Sequence, residues 1–514
     1  MNARRLRNLY LFCVLCIAII WSSCRKDFEY QESNGNLTFS KDTVYLDTVF
    51  TNIGSSTYTL KVYNPSHTDI QIPFITLKNG LESNYRLNVD GQAGKEFYNV
   101  PLFAKDSLYI FIETTFDISN VSENEFLYTD AILFDTGIQQ QNVSLVTLIK
   151  DAVFLYPKKN ADGSTEEITL GINEDGTAIK TNGFILDENQ LNFTKAKPYV
   201  IYGYAAVPED RSLIVDAGTR IYFHKDSGLL VQKNSSLTIN GSLSVDQELL
   251  ENQVIFEGDR LEPEFDDIAG QWGAIWLDKE SINNEINHLT IKNATVGLFV
   301  NGTTSEENFN LTISNSQIYN SATVNLWCKT AKVQGSNLVL GNAGATSLYC
   351  NNGGSYTFTH ATIANYWTKG FRSSTALQID NTNGQDSYNL YKADFVNCII
   401  DGNNSSELRL FKLNNASLFN FSFSNCMLKV DTAINTPENS LYDFNDKVNY
   451  KLVFLNQNAS FLKTSQHNFS INEDSFAIGK ANLEGVNFAP KDILGLDRTT
   501  NSAIGAYQYI FIDK

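Results

Sequence analysis

Apolar and polar residues alternate along residues 35–150, and turn-forming residues interrupt the alternation at short intervals. The stretch LTFSKDTVYLDTVFTNIGSSTYTLKVYNPSHTDIQIPFITL contains such turns at Asn64-Pro65-Ser66 and Lys78-Asn79-Gly80. Alternation with a period of two sends successive side chains to opposite faces of a strand, and regularly spaced strand signals of this kind are typical of a β-sandwich. Residues 35–150 are therefore predicted to form a β-sandwich.

A different pattern recurs from residue 291 onward: an apolar residue two positions before a bend residue, and another three positions after it. A small residue follows each bend residue, and the six bend residues are Asn293, Asn315, Gly335, His360, Asn397 and Asn425. This spacing, with a longer gap before Asn397, is typical of a β-solenoid with one coil per repeat and an inserted loop. Asn, Gly and His tolerate left-handed backbone, and asparagines at equivalent bends bond to each other between coils.

The small residue after each bend is Ala, Ser, Ser, Ala, Cys and Cys in turn, so Cys398 and Cys426 belong to a set of small interior residues. We therefore predict that they stack inward as free thiols, and that Cys328 and Cys350, about one coil apart, are also free and buried. A disulfide between Cys398 and Cys426 is the alternative in an oxidising compartment, although stacked coils need not align the Cβ vectors.

This repeat resembles the right-handed parallel β-helix family, whose turns carry ladders of asparagine. The segments RLNVDGQAG and DSLYIFIE resemble the Ig-like domains that precede β-helices in surface lipoproteins of Bacteroidetes. The resemblance implies an all-β fold, with an N-terminal Ig-like β-sandwich that spaces a right-handed parallel β-helix away from the membrane. The predicted divisions are 35–150 for the sandwich, 151–204 for a β-ribbon linker and N-terminal cap, 205–474 for the β-helix, and 475–514 for a C-terminal cap.

The N-terminus predicts export and lipidation. Residues 1–8 are basic, and the apolar run at 9–21 is too short to span a bilayer and suits a secretory signal. Ser22-Ser23-Cys24 resembles a bacterial lipobox, which implies a signal peptide at 1–23, acyl chains on Cys24 and a tether at 24–34. Lys26, Asp27 and Glu29 resemble the export signal that sends Bacteroidetes lipoproteins to the outer face of the outer membrane.

Charge excludes one class of partner. The chain has 39 basic and 57 acidic residues, a net charge of −18, which becomes −21 once the signal peptide with its three arginines is removed. Phosphate backbones bind to concentrated basic surfaces, so nucleic acid is not an expected partner.

Four Asp-Ser/Thr-apolar triplets match a form that gliding Bacteroidetes glycosylate on oxygen. The acceptor residues would be Thr43, Thr48, Ser107 and Thr432. The alternative is that Asp-Thr-Val is ordinary strand sequence, and the residues leave both interpretations open.

The segment FEGDRLEPEFDDIAGQWGAIWLD, residues 256–278, is the candidate binding surface. It gathers Asp259, Arg260, Glu262, Glu264, Asp266 and Asp267 ahead of Trp272 and Trp276. Polysaccharide lyases with a β-helix hold Ca²⁺ with acidic residues, and glycosidases use paired carboxylates, but here the acids share one loop. An Arg–carboxylate pair that holds the loop to the surface is the simpler interpretation. If Ile275 and Leu277 face inward, alternation turns both tryptophans outward. There they would either stack on a sugar or anchor a protein partner, or else the acidic loop would fold back and cover them.

The chain lacks GxSxG, HExxH, a P-loop and paired CxxC motifs, and its five histidines lack metal-ligand spacing. The equivalent repeat positions carry Lys292, Ser314 and Gln334 rather than aligned carboxylates. We therefore predict a non-catalytic, cofactor-free binding or scaffold module, with Ca²⁺ as the one cofactor considered. The expected partner is an outer-membrane barrel or another envelope protein, or a surface polysaccharide. The alternative function is a polysaccharide lyase or glycoside hydrolase.

Overall fold

A computed structural model describes residues 30–51, 53–117, 125–172, 176–303, 308–414, 417–434 and 440–509. The chain divides into two compact units, Met1–Lys150 and Asp151–Lys514. Strands account for 50% of the residues and helices for 6%, so the prediction of an all-β chain is confirmed. The N-terminal calls at residues 1–23, Cys24, Lys26, Asp27 and Glu29 lie outside the described residues.

The first unit consists of two sheets around one core. Its strands are β1 Gln31–Glu32, β2 Thr38–Phe39, β3 Thr43–Phe50, β4 Tyr58–Tyr63, β5 Ile70–Leu77, β6 Tyr85–Val89, β7 Gln92–Gly94, β8 Glu96–Leu102, β9 Ser107–Thr114, β10 Glu125–Phe134 and β11 Gln141–Lys150. One sheet has the order β1-β5-β10-β11-β3 with β8 paired to β5, and the other has the order β2-β4-β9-β6-β7. In β9, Leu108, Ile110 and Ile112 are buried while Tyr109 and Phe111 are exposed. Buried residues of both sheets form a single cluster, as alternation requires.

The second unit winds through three faces of parallel strands. Each coil contributes one short strand to each face, which we name face A, face B and face C in chain order. Face A consists of β14 Ala178–Ile185, β17 Tyr204–Val207, β20 Gly228–Val231, β23 Trp272–Leu277, β26 Ala294–Asn301, β28 Val324–Lys329, β30 Thr346–Asn351, β33 Leu377–Asp380 and β36 Leu408–Phe411. An antiparallel hairpin of β13 Glu167–Ile172 with β14 begins this face.

Faces B and C meet at a tight bend, and β27 and β29 run through that bend into both faces. Face B also contains β15 Asn192–Phe193, β18 Ser212–Asp216, β21 Ser236–Asn240, β24 Asn284–Asn287, β31 Gly354–Thr359, β34 Leu390–Val396, β37 Ser422–Ser424 and β39 Tyr450–Lys451. Face C contains β12 Val153–Leu155, β16 Tyr199–Ile201, β19 Arg220–Phe223, β22 Val254–Gly258, β25 Leu289–Lys292, β32 Thr362–Asn365, β35 Ile399–Gly402, β38 Met427–Leu428 and β40 Phe454–Leu455. The two shared strands are β27 Leu311–Ser321 and β29 Lys332–Ala343.

The interior is filled by identical positions stacked from coil to coil. Phe358, Phe395 and Phe423 stack on face B with ring centroids 5.4 and 5.1 Å apart. Cys328 pairs in register with Cys350 on face A. All four of Cys328, Cys350, Cys398 and Cys426 are free and buried, which confirms the prediction that cysteine is an interior small residue here.

The asparagine bends form two columns rather than one. The bend between faces B and C contains His288, Asn315, Asn337, His360, Asn397 and Asn425, all with positive φ. Asn337 Nδ2 donates to Asn315 Oδ1 at 2.9 Å. Asn293 belongs to a second column beyond face C, where Asn320 Nδ2 donates to Asn293 Oδ1 at 2.6 Å. The repeat frame drawn from sequence therefore mixed two bends, and its copy at Gly335 was wrong, because Asn337 is the bend.

The C-terminal residues lie along face C instead of only closing the end of the stack. They include β41 Phe461–Lys463, β42 Asn468–Ile471 and helix α1 Leu483–Phe488. Elsewhere and in this segment, the described residues also form short 3₁₀ helices at Gly80–Glu82, Gly137–Gln139, Glu188–Gln190, Pro263–Phe265, Thr432–Ile434, Ser440–Tyr442 and Thr464–Gln466. Phe469 and Ile493 pack with Val339 and Ala364, which face away from the interior. This placement differs from the end cap predicted for 475–514, because face C has apolar residues on its outer side that need cover.

Candidate functional site

The acidic loop at 259–267 is held to the protein by its own ion pairs. Arg260 pairs with Glu262 at 2.9 Å and lies over the ring of Phe265, as the Arg–carboxylate interpretation expected. Asp266 also pairs with Lys292 at 2.9 Å, and Asp267 pairs with Lys369 at 2.6 Å. The imidazoles of His224 and His467 form hydrogen bonds with Asp259 and Asp267, each at 2.7 Å. Glu264 is exposed. These contacts tie the loop to neighbouring segments and leave few of its carboxylates available to a ligand.

The loop also has no arrangement suited to Ca²⁺. Among the residues that the structure describes, no group of three or more His, Cys, Asp or Glu side chains could hold a metal ion. Lys292 and Lys369 lie against the carboxylates that a cation would need.

The prediction that Trp272 faces outward is wrong. Only 1% of Trp272 is exposed, and its ring stacks on Phe223 in the interior at a centroid distance of 4.4 Å. Its Nε1 donates to the carbonyl of Lys292 at 3.0 Å. Trp272 and Ile275 are three positions apart and both are buried, so regular alternation does not hold along β23, whose pairing with β26 shifts register between Ala274 and Ile275. Ile275 and Leu277 do face inward.

Trp276 faces outward as predicted, and it begins a row of aromatic residues on face A. Register pairs Trp276 with Phe299, Phe299 with Trp327, and Trp327 with Tyr349 on successive coils. Ring centroids are 4.7, 4.9 and 5.9 Å apart along the row. We call these four residues the aromatic stripe. Parallel in-register pairing produces such a row whenever one position of each coil is aromatic.

A cleft of about 690 Å³ runs beside the first three rings of the stripe. The β13–β14 hairpin flanks it with Leu170 and Ile179, which pack with Trp276 and Tyr204. Burial raises the pKa of Tyr204 to about 12, so its hydroxyl stays protonated at neutral pH. We call this the aromatic cleft. Its walls provide flat apolar surfaces together with a few polar groups, which is typical of sites for organic ligands.

The indole N–H groups of Trp276 and Trp327 have no hydrogen-bond partner within the described part of the chain, and both nitrogens are screened from solvent. An unsatisfied buried donor costs about 1–3 kcal/mol. A hydrogen-bond acceptor at either nitrogen would remove this cost. Structural tryptophans normally find such an acceptor, as Trp272 does here.

A second, polar cleft of about 420 Å³ adjoins the last ring of the stripe. It is lined by Tyr349 and Asn351 of one strand, by Lys329 of the preceding coil, and by Gln378, Asp380 and Arg409 of the next two coils. Burial and the neighbouring Asp380 raise the pKa of Tyr349. Lys329 lines both clefts, so together they form one groove along face A.

Sequence reasoning found Trp276 and missed Phe299, Trp327 and Tyr349. A signal was available in Leu326-Trp327-Cys328-Lys329 and Leu348-Tyr349-Cys350-Asn351, which occupy the same place in successive coils. In both, an aromatic residue directly precedes the interior cysteine and therefore faces outward. The repeat frame followed the asparagine bends, which lie on a different corner of the coil.

The candidate glycosylation residues have mixed exposure. Thr43 and Thr48 lie in β3 and are half-buried, Ser107 begins β9 and is half-buried, and Thr432 is exposed. No helix in the described ranges is long and apolar enough to cross a membrane.

No protein-family model matches the chain, and no curated protein matches it in sequence. Among solved structures it has a likeness to the catalytic unit of a GH87 α-1,3-glucanase from Streptomyces thermodiastaticus, with a TM-score of 0.30, 11% identity, and coverage of 72% of this chain and 73% of that chain. A PapD-like domain of human CEP192 gives a TM-score of 0.15, 10% identity, and coverage of 25% and 94%. The E. coli chaperone DraB gives 0.17, 12%, and coverage of 24% and 58%. Likenesses at this level assign neither a family nor a function.

Proposed function

We propose that this chain is a non-catalytic polysaccharide-binding protein of a bacterial cell surface. In this proposal Cys24 carries the lipid anchor at the outer membrane, and residues 35–150 are an Ig-like spacer. A right-handed parallel β-helix then presents face A to the exterior. The N-terminal lipobox and export signal, the acidic charge and the groove on face A support it.

The aromatic stripe carries the proposal. The C–H faces of sugar rings pack against aromatic rings, while hydroxyl groups need polar partners at the rim. Strands of neighbouring coils are about 4.8 Å apart, so four rings on consecutive coils extend over about 14 Å. That length suits several sugars of an extended chain. A single buried pocket, by contrast, would suit one small molecule.

Two carboxylates line the groove, and their positions favour binding over cleavage. Asp226 lies in the aromatic cleft and Asp380 lies in the polar cleft. Asp380 accepts hydrogen bonds from Asn351 Nδ2 at 2.9 Å and from the Asn352 amide at 3.2 Å. Glycosidases need two carboxylates that flank one scissile bond, one of them able to give a proton. A carboxylate already bonded to fixed amides is poorly suited to that role.

The test is a screen of the mature protein against immobilised neutral and acidic oligosaccharides, followed by calorimetric titration of the tightest ligand. Trp327→Ala should weaken binding about tenfold or more, because it removes the ring in the middle of the stripe. Phe371→Ala is the matched control, since Phe371 is 93% exposed and lines neither cleft. It should bind like the unchanged protein.

Three outcomes would contradict the proposal. Equal losses for both variants would mean that the stripe is not the binding site. Release of shortened or unsaturated sugars on long incubation would establish the alternative, a glycosidase or lyase. Purification from the native outer membrane in stoichiometric complex with a barrel protein, together with an empty glycan screen, would favour an accessory subunit of that complex.

A further inference from the structure

The outward-facing row of side chains on face A changes from aromatic to polar after Tyr349. After Tyr349, register pairing continues to Gln378 and then to Arg409 on the next two coils. A ligand that extends along the stripe therefore leaves flat rings and meets amide, hydroxyl and guanidinium groups. The groove therefore has an aromatic end at Trp276 and a polar end at Arg409.

Two cations in the polar cleft are unpaired. Within the described residues, neither the Lys329 ammonium nor the Arg409 guanidinium forms a side-chain hydrogen bond or an ion pair, yet both line this cleft. In the second unit, by contrast, Lys292, Lys369 and Arg372 each form an ion pair with a carboxylate. Two unpaired cations in one cleft produce a local field that favours an anion, even on a chain with net charge −18.

Asp380 is the acid that would be expected to neutralise these cations, but its oxygens are otherwise engaged. Besides the two bonds from Asn351 and Asn352, it accepts one from Gln378 Nε2 at 3.3 Å. Only 3% of Asp380 is exposed. Asp380 is thus held by amide donors, and it forms an ion pair with neither cation in the described part of the chain.

We propose that the polar cleft binds an oxyanion substituent, a carboxylate or a sulfate ester, on the glycan whose sugar rings lie on the aromatic stripe. This inference rests on the proposed function and adds the charge class of the ligand. Arg409 supplies planar, paired N–H donors that match a carboxylate or sulfate, and Lys329 supplies a second positive charge. The protein is then selective for acidic polysaccharide, because a neutral chain leaves both cations without a partner.

The probes are β-1,4-mannohexaose and the β-1,4-mannuronate hexasaccharide, which share a backbone and differ in the carboxylate at C6. Sulfated mannohexaose is the third arm and distinguishes sulfate from carboxylate. In calorimetric titrations of the full mature chain, at least one acidic probe should bind about tenfold more tightly than the neutral one at low salt. That advantage should shrink as the ionic strength rises from about 0.05 M to about 0.5 M.

Substitutions separate this inference from the proposed function. Arg409→Gln and Lys329→Gln should each reduce several-fold the ratio of acidic-probe affinity to mannohexaose affinity, with both affinities measured on the same variant. Lys447→Gln, at an exposed lysine outside both clefts, should change neither. Trp327→Ala should weaken every probe.

The other possible results of these titrations contradict either the charge selectivity alone or glycan binding as a whole. If the neutral and acidic probes bind with equal affinity, or if Arg409→Gln keeps the full preference, the charge selectivity is overturned while glycan binding stands. If neither these probes nor any oligosaccharide of the screen binds to the unchanged protein, both this inference and the proposed function are contradicted.

Discussion

At the scale of the residue, the bends between faces B and C explain why this chain is rich in asparagine. From residue 315 onward these bends have Asn or His in left-handed backbone, and Asn337 bonds to Asn315, as Asn397 does to His360, on an adjacent coil. The sequence could indicate the residue types, because few side chains tolerate that conformation. It could not separate the two columns, since both bends follow an inward apolar residue and precede a small one.

Asn397 is the bend residue whose loss should cost most. It is fully buried with φ of 55°, its Oδ1 accepts from the Asn482 amide at 2.8 Å, and its Nδ2 donates to the Asn482 carbonyl at 3.1 Å. Asn397→Ala should lower the free energy of unfolding by about 3 kcal/mol, through lost hydrogen bonds and left-handed strain. The measurement is urea-induced unfolding followed by tryptophan fluorescence.

Asn397→Gly is the matched variant, because glycine adopts positive φ without strain but cannot form the side-chain bonds. It should be about 1 kcal/mol less destabilised than Asn397→Ala. If the two variants unfold at the same urea concentration, the left-handed backbone contributes nothing and this explanation of the bend is incorrect.

At the scale of the element, β23 illustrates what a single strand cannot reveal. Its sequence Trp-Gly-Ala-Ile-Trp-Leu suggested regular alternation, which correctly placed Ile275, Trp276 and Leu277 and failed for Trp272. β23 departs from regular alternation at the place where its register with β26, a strand of the next coil, shifts. Such a shift depends on pairing between coils, and local periodicity contains no information about it.

The C-terminal segment, residues 456–509, is a second element whose position depends on distant contacts. His360 lies beneath it: the Nδ1–H of the neutral ring donates to the Gly505 carbonyl at 3.3 Å, and Nε2 accepts from Asn397 Nδ2 at 3.0 Å. Burial, and secondarily the charge of Arg498, hold the pKa of His360 well below its ordinary value. Burial also lowers the pKa of His467, which packs on Tyr319 from the same segment.

The segment should therefore loosen in mild acid. Both histidines have folded pKa values below their unfolded ones, so the detached state takes up protons first as the pH falls below about 6.5. Stability is then lost progressively between about pH 7 and pH 5, and it is constant above that range as far as these two groups are concerned. Hydrogen exchange with mass spectrometry should show falling protection at 461–509.

His360→Asn provides the control, because asparagine occupies the same bend in the neighbouring coils and does not titrate. Combined with His467→Asn, it should flatten the pH dependence of protection over that range. A slope that persists unchanged in the double variant would assign the effect to other groups.

At the scale of the whole molecule, the sequence was informative about architecture and less so about the site. Parallel strands stacked in coils repeat their residue types, so the all-β class and the interior cysteines could be predicted from periodicity alone. The site depends on which outward position is aromatic on four consecutive coils, and a full coil of unrelated sequence separates each of those positions from the next. The acidic loop, by contrast, is conspicuous in the sequence because its charges are close together, but these charges are already paired in the fold.

The measurement that tests the central claim most directly is a crystal structure of the mature chain with the tightest oligosaccharide from the screen. We expect sugar rings to lie along face A against Trp276, Phe299, Trp327 and Tyr349, with the chain extending toward Arg409. A sugar bound instead at the acidic loop of residues 259–267, or anywhere that leaves the four rings uncovered, would contradict the account.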